Sequence, residues 1–202
     1  MQPVSVVVSR TSDFSDEMDR LRSVCFPGSD PSRSSRDEFD SRSIYVVNEV
    51  QGKLAAYGRL TPGPRSVFET WSQGVAQIPT GPNVADLGRC MVAPEHRGLD
   101  LITLVCLDGL LLAAEMGFDY VVGAVVPGRK LAAMLYEIGF RDSGPIVQSY
   151  EENGAVFTLQ PLVAACTQSA RWEELRQRVV KKLAGRGYAV IEHDEVASSH
   201  KG

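Results

Sequence analysis

Between residues 86 and 100 this chain sets charged and polar side chains beside backbone that a helix would leave unpaired: Asp86, Arg89, Cys90, His96, Arg97 and Asp100. An apolar run from Leu87 to Val92 is closed by Pro94. The turn Glu95-His96-Arg97-Gly98 then delivers the chain to a second apolar stretch beginning at Leu101. Unpaired N–H groups at a helix N-terminus attract anions, and those of Gly98, Leu99 and Asp100 with the Arg97 guanidinium suit a pyrophosphate or a phosphopantetheine phosphate. The competing reading is a solvated turn. His96 is expected to be exposed beside it, without a role.

Asp86 opens the apolar run. Its carboxylate could take a proton from an ammonium group, directly or through a water, or could simply pair with Arg89. A second set of charges is spread over Arg22, Asp37, Asp40, Arg59 and Arg89; inside the protein these would have to pair with one another, and outside it Asp37 and Asp40 would be ordinary loop charges. Cys90 stands close to Asp86 in sequence and is read as a buried structural thiol rather than a covalent relay.

The elements that must position these groups follow from periodicity. Leu87 to Val92 is a strand; Leu101, Leu104, Val105, Leu107, Leu111 and Leu112 predict a mostly buried helix to Met116, ended by Gly117. Tyr120 to Val126 is a strand, broken by Pro127-Gly128. Leu131, Met134, Leu135 and Ile138 give another helix, ended by Gly139. Upstream, a strand is expected over Val4 to Val8 and a helix from a cap at Ser12 or Asp13 through Phe14, Met18, Leu21, Val24 and Cys25. A polar segment over residues 28–42 reads as a loop able to act as a lid. Ile44 to Val50 and Leu54 to Leu60 form a hairpin about Gln51-Gly52. Ser66 to Trp71 is a candidate short helix, and Val75 to Asn83 a loop. Ile146 to Tyr150 and Val156 to Leu159 pair about Asn153-Gly154. Trp172, Leu175, Val179 and Leu183 line one face of a charged helix, Tyr188 to Ile191 is a candidate edge strand, and the tail from Glu195 is expected to be disordered. There are no internal repeats.

With 202 residues, 44% of them apolar, the chain can bury one substantial core. A net charge of −4 gives no general attraction to nucleic acid or an anionic membrane. The first ten residues lack a basic leader, and the run over residues 101–114 is interrupted by Asp108 and too short to span a bilayer, so a cytosolic protein is expected. Cys25, Cys90, Cys106 and Cys166 lie too far apart to suggest zinc or a disulfide framework.

Val92, Pro94, Arg97 and Gly98 at the first strand-to-helix junction, with Tyr136, Gly139 and Phe140 closing the second helix, resemble the GNAT superfamily of acyl-CoA-dependent N-acyltransferases. Over roughly Val4 to Pro161 the chain looks closer to one branch, the acyl-homoserine-lactone synthases (autoinducer synthases) and N-acyl amino acid synthases. Leu21, Arg22 and Phe26, then Asp37 and Asp40, Arg59 and Leu60, and Asp86, Leu87 and Arg89 carry that likeness. Asp86 and Gly88 stand where the branch has glutamate and serine, and a tryptophan between Phe26 and Asp37 is absent. Asp100 and Ile102 stand where the superfamily has glycine, then glycine or alanine.

The resemblance implies an α/β, GNAT-like fold with a mixed central sheet flanked by helices. Residues 1–162 would form the acyltransferase domain, and residues 163–202 an amphipathic helix, edge strand and tail. It implies transfer of an acyl group from an acyl thioester, acyl-CoA or phosphopantetheinyl acyl carrier protein, to a small primary amine or amino acid by direct attack, without a metal. Asp86 would act as base and Tyr136 as proton donor to the leaving sulfur. Met91 and Val92 with Arg97, Gly98, Leu99 and Asp100 would hold the donor. Arg22, Phe26, Asp37, Asp40, Arg59 and Arg89 would shape the acceptor pocket. Asp100 would repel a phosphate, which disfavours ordinary acetyl-CoA, and generic N-acylation is favoured over a homoserine-lactone product. The helix from Leu101 and the strand from Tyr120, where Gly123 and Ala124 leave room, would wall a tunnel for a fatty chain. Two alternatives stand: a conventional acetyl-CoA-dependent acetyltransferase, and a non-catalytic GNAT-like module whose Arg171, Arg176, Arg178, Lys181 and Lys182 dock an acidic carrier protein.

Overall fold

The computed structural model of the chain describes residues 3–25, 37–63, 83–152 and 155–193. The strands are β1 (Val4–Thr11), β2 (Ile44–Val50), β3 (Lys53–Pro62), β4 (Val84–Val92), β5 (Tyr120–Val125), β6 (Arg141–Asp142), β7 (Val147–Glu152), β8 (Ala155–Ala165) and β9 (Tyr188–Glu192). The helices are α1 (Asp16–Cys25), α2 (Leu101–Glu115), α3 (Lys130–Glu137) and α4 (Ser169–Ala184), with single 3-10 turns at Asp40–Arg42, Pro94–His96 and Cys166–Gln168.

The strands form one sheet in the order β6-β8-β5-β4-β3-β2-β1-β9, with β7 also paired to β8. Pairing is antiparallel except for β4 with β5 and β1 with β9, so the sheet is mixed. Alternation along β2 sorts its side chains to two faces. Tyr45 and Val47 point to the cluster of Met18 and Leu21 on α1. Val46 points to the cluster that takes in Leu107 and Leu110 of α2, Leu135 of α3 and Trp172 of α4. Helices therefore cover both faces, as expected for a GNAT-like α/β fold. α2 is buried along most of its length, since it is covered by the sheet on one side and by α4 on the other.

Several boundaries move. β1 runs on to Thr11, so α1 starts later than read from sequence; its cap is Ser15, whose Oγ accepts the Met18 N–H at 3.2 Å, and not Ser12 or Asp13. β8 does not stop near Leu159. It continues through Pro161 to Ala165 because its first half pairs with β7 and its second half fills the place between β5 and β6. α4 lies against α2, and β9 adds a parallel edge to β1. The candidate helix over 66–71, most of the loop over 75–83, residues 28–36 of the candidate lid and the tail from Glu195 lie outside the described residues.

Candidate functional site

The bends that build the site are in β4. Register puts Gly88 opposite Arg59 and Met91 opposite Tyr57, so two residues, Arg89 and Cys90, face the single residue Gly58. This is a β-bulge, and Arg89 takes a left-handed backbone conformation with φ of 51°. Such a conformation costs a non-glycine residue on the order of 1 kcal/mol and marks a place where the surrounding structure dictates the backbone.

On its other edge β4 pairs with β5 only from Val84 to Asp86, the last pair being Asp86 with Val122, although both strands run on. Beyond Asp86 the two parallel strands no longer pair, a splay that leaves this edge of β4 unmatched. At the vertex the strands approach so closely that a Cβ on Gly123 would lie 2.9 Å from the Leu87 carbonyl oxygen. Gly123 is thus required for strand packing and does not leave room for a ligand, contrary to the reading from sequence.

Asp86 is 5% exposed at this vertex. It shares a face of the sheet with Gly88, Arg59 and Tyr45, through the pairs Thr61–Asp86, Arg59–Gly88 and Tyr45–Arg59. A side chain on Gly88 would meet Asp86 Oδ1 at 3.1 Å, so glycine at this position gives the carboxylate its room. Cys90 points to the other face, beside Val105 and the hypothetical Cβ of Gly58, and its thiol reaches the Gly88 carbonyl at 3.7 Å. Cys25 and Cys90 are half-buried and Cys106 and Cys166 buried, all as free thiols. A hydrogen bond with Cys90, together with burial, pushes the Cys106 thiol well up.

The charges on the α1 face form a connected network. Asp40, buried, accepts both terminal nitrogens of Arg22 at 3.1 and 3.2 Å, Arg59 at 2.8 Å, the Tyr45 hydroxyl at 2.5 Å and the Asp37 N–H at 2.8 Å. Burial alone would raise its pKa. The donors outweigh it, led by Arg22, Tyr45 and Arg59, and hold the carboxyl well below the ordinary carboxylate range. Arg22 also donates to the Tyr57 hydroxyl at 3.0 Å. Arg59 reaches on to Asp37 at 2.6 Å, and Asp37 pairs with Arg89 at 3.6 Å. Arg22 and Arg59 are almost fully buried, whereas the Asp37 and Arg89 side chains are 25% and 21% exposed. The network therefore runs from a closed end at Arg22–Asp40 to an open end at Asp37–Arg89. Of the sequence-predicted pocket residues, Arg22, Asp37, Asp40, Arg59 and Arg89 come together; Phe26 lies outside the described residues. Tyr45 and Tyr57, which complete the network, were not anticipated. Their only trace in the sequence is a tyrosine at alternate strand positions on the face that carries Arg59.

Met91 and Val92 end β4 and lead into the turn at α2. Met91 is buried in the α1-side cluster and Val92 packs on the opposite one. Gly98 has φ of 88° with open space where a Cβ would be, and Asp100 is left-handed at the helix N-cap. The Leu99 N–H turns back to the His96 carbonyl at 3.4 Å, while those of Gly98 and Asp100 have no backbone acceptor among the described residues. The Arg97 side chain is exposed. Asp100 makes no capping hydrogen bond; its carboxylate is 2.6 Å from Lys182 Nζ and 3.8 Å from Arg186, which also donates to the Gly98 carbonyl at 2.8 Å. The charge expected to repel a phosphate is thus met by two cations from the C-terminal segment.

Tyr136, on α3, is 43% exposed and donates to Asp142 on β6 at 2.7 Å. That hydrogen bond, with a smaller contribution from burial, raises the phenol pKa and keeps it protonated. The basic face expected on α4 needs a correction. Arg176 is buried because it is drawn inward into ion pairs with Asp108 and Glu192, so it is not presented to a partner. Arg171 is engaged with the Glu137 carbonyl at 2.8 Å and Lys182 with Asp100.

The acetyltransferase (GNAT) family pattern matches residues 15–140, a span that takes in α1, the splay, the α2 turn and Tyr136. The chain belongs to that family. A comparison with curated protein sequences finds no match. Among solved structures, it is similar to BjaI, a CoA-dependent acyl-homoserine lactone synthase solved with MTA, with a TM-score of 0.62 and 15% identity over 96% of this chain and 94% of that one. MesI, another CoA-dependent acyl-homoserine lactone synthase, gives 0.61 and 15% over 93% and 100%. The IAA acetyltransferase from Bacillus cereus gives 0.57 and 17% over 79% and 99%. At these identities the likeness is one of fold. Among the described residues no helix is long and apolar enough to cross a membrane, and no three His, Cys, Asp or Glu side chains gather as a metal site.

Proposed function

We propose that the protein transfers an acyl group from an acyl thioester, acyl-CoA or a phosphopantetheinyl acyl carrier protein, to the amine of a small molecule or amino acid by direct attack. The observation that carries this reading is the splay of β4 from β5 with Asp86 at its vertex. The thioester arm would lie in a slot between the unpaired ends of β4 and β5 and pair with the unmatched β4 edge near Met91 and Val92. Its phosphates would meet Arg97 and the N–H groups of Gly98 and Asp100. Exposed β4 N–H groups would polarise the thioester carbonyl and stabilise the oxyanion.

Asp86 would accept the ammonium proton, directly or through a water, because it lies at the slot and on the face that holds the acceptor network. The open end of that network would suit an amino acid: Asp37 would receive an ammonium and Arg89 a carboxylate, while Arg22, Asp40 and Arg59 would hold the pocket's shape. As the C–S bond breaks, Tyr136 would give its proton to the sulfur, with Asp142 holding the phenol protonated until then. Cys90, on the far face, has no part in a direct transfer. Helix α2 and β5 would bound an acyl tunnel.

The test is steady-state kinetics on Asp86→Asn and Tyr136→Phe with whichever donor and amine pair turns over. Each is expected to lower kcat by about 100-fold or more with a modest change in donor KM. Wild-type rates in both variants would remove these assignments.

A further inference from the structure

Behind the β4 bulge two cysteines lie against one another, and direct transfer uses neither. Glycines let α2 press closely on β3 and β4 there. A Cβ on Gly58 would stand 2.6 Å from Val105 Cγ1 of α2 and 3.1 Å from the Cys90 sulfur, and one on Gly109 would stand 2.7 Å from Leu87 Cδ1. The close approach sets Cys106, the residue after Val105, on Cys90. Cys90 packs on the buried cluster that contains Cys106, and the two thiols share a hydrogen bond.

The two thiols differ in access. Cys90 is half-buried, so small reagents reach it from solvent, whereas Cys106 is 1% exposed. The other two cysteines stand apart from this contact. Cys25 packs in the α1-side cluster on the opposite face, where its thiol reaches the Val92 carbonyl at 3.7 Å, and Cys166 is buried in the 3-10 turn after β8. A reachable thiol with a buried thiol directly behind it is the arrangement in which oxidation of the first is resolved by the second.

We propose that Cys90 and Cys106 form an oxidative modification site, at which hydrogen peroxide oxidises Cys90 and Cys106 then closes an intramolecular disulfide. In the first step the Cys90 sulfur attacks one peroxide oxygen. An S–O bond forms, the O–O bond breaks, and the other oxygen leaves as water with the Cys90 proton. In the second step the Cys106 sulfur attacks the sulfenic acid at Cys90. The S–S bond forms, the S–O bond breaks, and the hydroxyl leaves with the Cys106 proton as a second water. Two thiols are oxidised as one peroxide is reduced. The new bond ties the bulge to α2 and fixes the backbone beside Arg89, the other bulge residue, whose side chain meets Asp37 on the far face. This chemistry does not depend on the acyl-transfer reading.

The test treats the reduced full chain with hydrogen peroxide, blocks remaining thiols with iodoacetamide under denaturing conditions, and maps the tryptic peptides by mass. Trypsin cuts after Arg89, Arg97 and Arg129, so residues 90–97 and 98–129 fall in separate peptides. The expected product joins those two peptides through Cys90 and Cys106 and releases them after dithiothreitol. The cross-link should be lost in Cys90→Ser and kept in Cys25→Ser and Cys166→Ser. In Cys106→Ala, shown to be folded by circular dichroism, the same treatment should carry Cys90 on to the sulfinic acid, a gain of about 32 Da. The wild-type map decides the matter even where that variant does not fold. Cys90 that stays blocked by iodoacetamide, gains oxygen in the wild type without a cross-link, or joins Cys25, Cys166 or a second chain would overturn the proposal.

Discussion

Lys182, in the last turn of α4, holds its ammonium 2.6 Å from the Asp100 carboxylate at the N-terminus of α2. The C-terminal helix thereby controls the charge of the turn assigned to the donor's phosphates. Removing the lysine exposes Asp100 to the phosphate; removing the carboxylate frees a cation for it. Lys182→Ala is expected to raise the donor KM by about fivefold with kcat nearly unchanged, and Asp100→Asn to lower it. The double variant, which removes both charges of the pair, should return the donor KM towards the wild-type value. Equal and additive losses would show that the pair does not face the donor.

The buried end of the α1-face network is a stability determinant. Asp40 accepts from Arg22, Arg59 and Tyr45 with almost no solvent to replace a lost partner. Arg59→Met leaves Asp37 and Asp40 short of a cation and is expected to lower unfolding free energy by about 3–5 kcal/mol. Urea unfolding measures this, and a loss below about 1 kcal/mol would mean the network is not closed in solution.

Two buried carboxylates impose opposite pH dependences. Asp40 has a depressed pKa in the folded state, so its contribution is present above the ordinary aspartate value of about 3.9 and is lost as pH falls below it. Asp108 is raised to about 6. Between about pH 4 and 6 the folded chain holds a proton there that the unfolded chain has released, so stability falls as pH rises through this window. Relative to Asp108→Asn, wild-type stability should decline from pH 4 to 6 and stay level above that. A difference flat across the window would contradict the buried, raised carboxyl.

Arg89 trades backbone ease for position. Its φ of 51° suits glycine, and its ion pair with Asp37 is long and partly exposed. Arg89→Gly should leave thermal stability unchanged or raise it by up to about 1 kcal/mol while lowering kcat/KM for the acceptor. A destabilised variant with a normal acceptor KM would assign Arg89 to folding alone.

The segment from Leu87 to Phe140 was readable in the sequence because its periodicity changes cleanly from strand to helix and back, with glycine and proline at the breaks. The grouping of Arg22, Asp37, Asp40 and Arg59 came from family resemblance, since nothing local tells a buried aspartate from one in a loop. Tyr45 and Tyr57 read as ordinary strand aromatics until the fold set their hydroxyls against Asp40 and Arg22. Lys182 reaches Asp100 only through the packing of α4 on α2, a contact between residues far apart in sequence. Arg176 looked like surface charge because its partner Asp108 lies on another helix. Ser15 was passed over as a cap because β1 runs on past Val8, pushing the start of α1 downstream.

The most direct test of the central claim is thiol release from acyl-CoAs and acylated carrier proteins with and without a pool of amines, followed by intact-mass analysis of the protein. The account predicts release that requires an amine, yields an N-acyl product in equal amount, leaves no acyl adduct on Cys90 and is lost in Asp86→Asn. No release from any donor by folded protein, or release through an acylated cysteine, would contradict it.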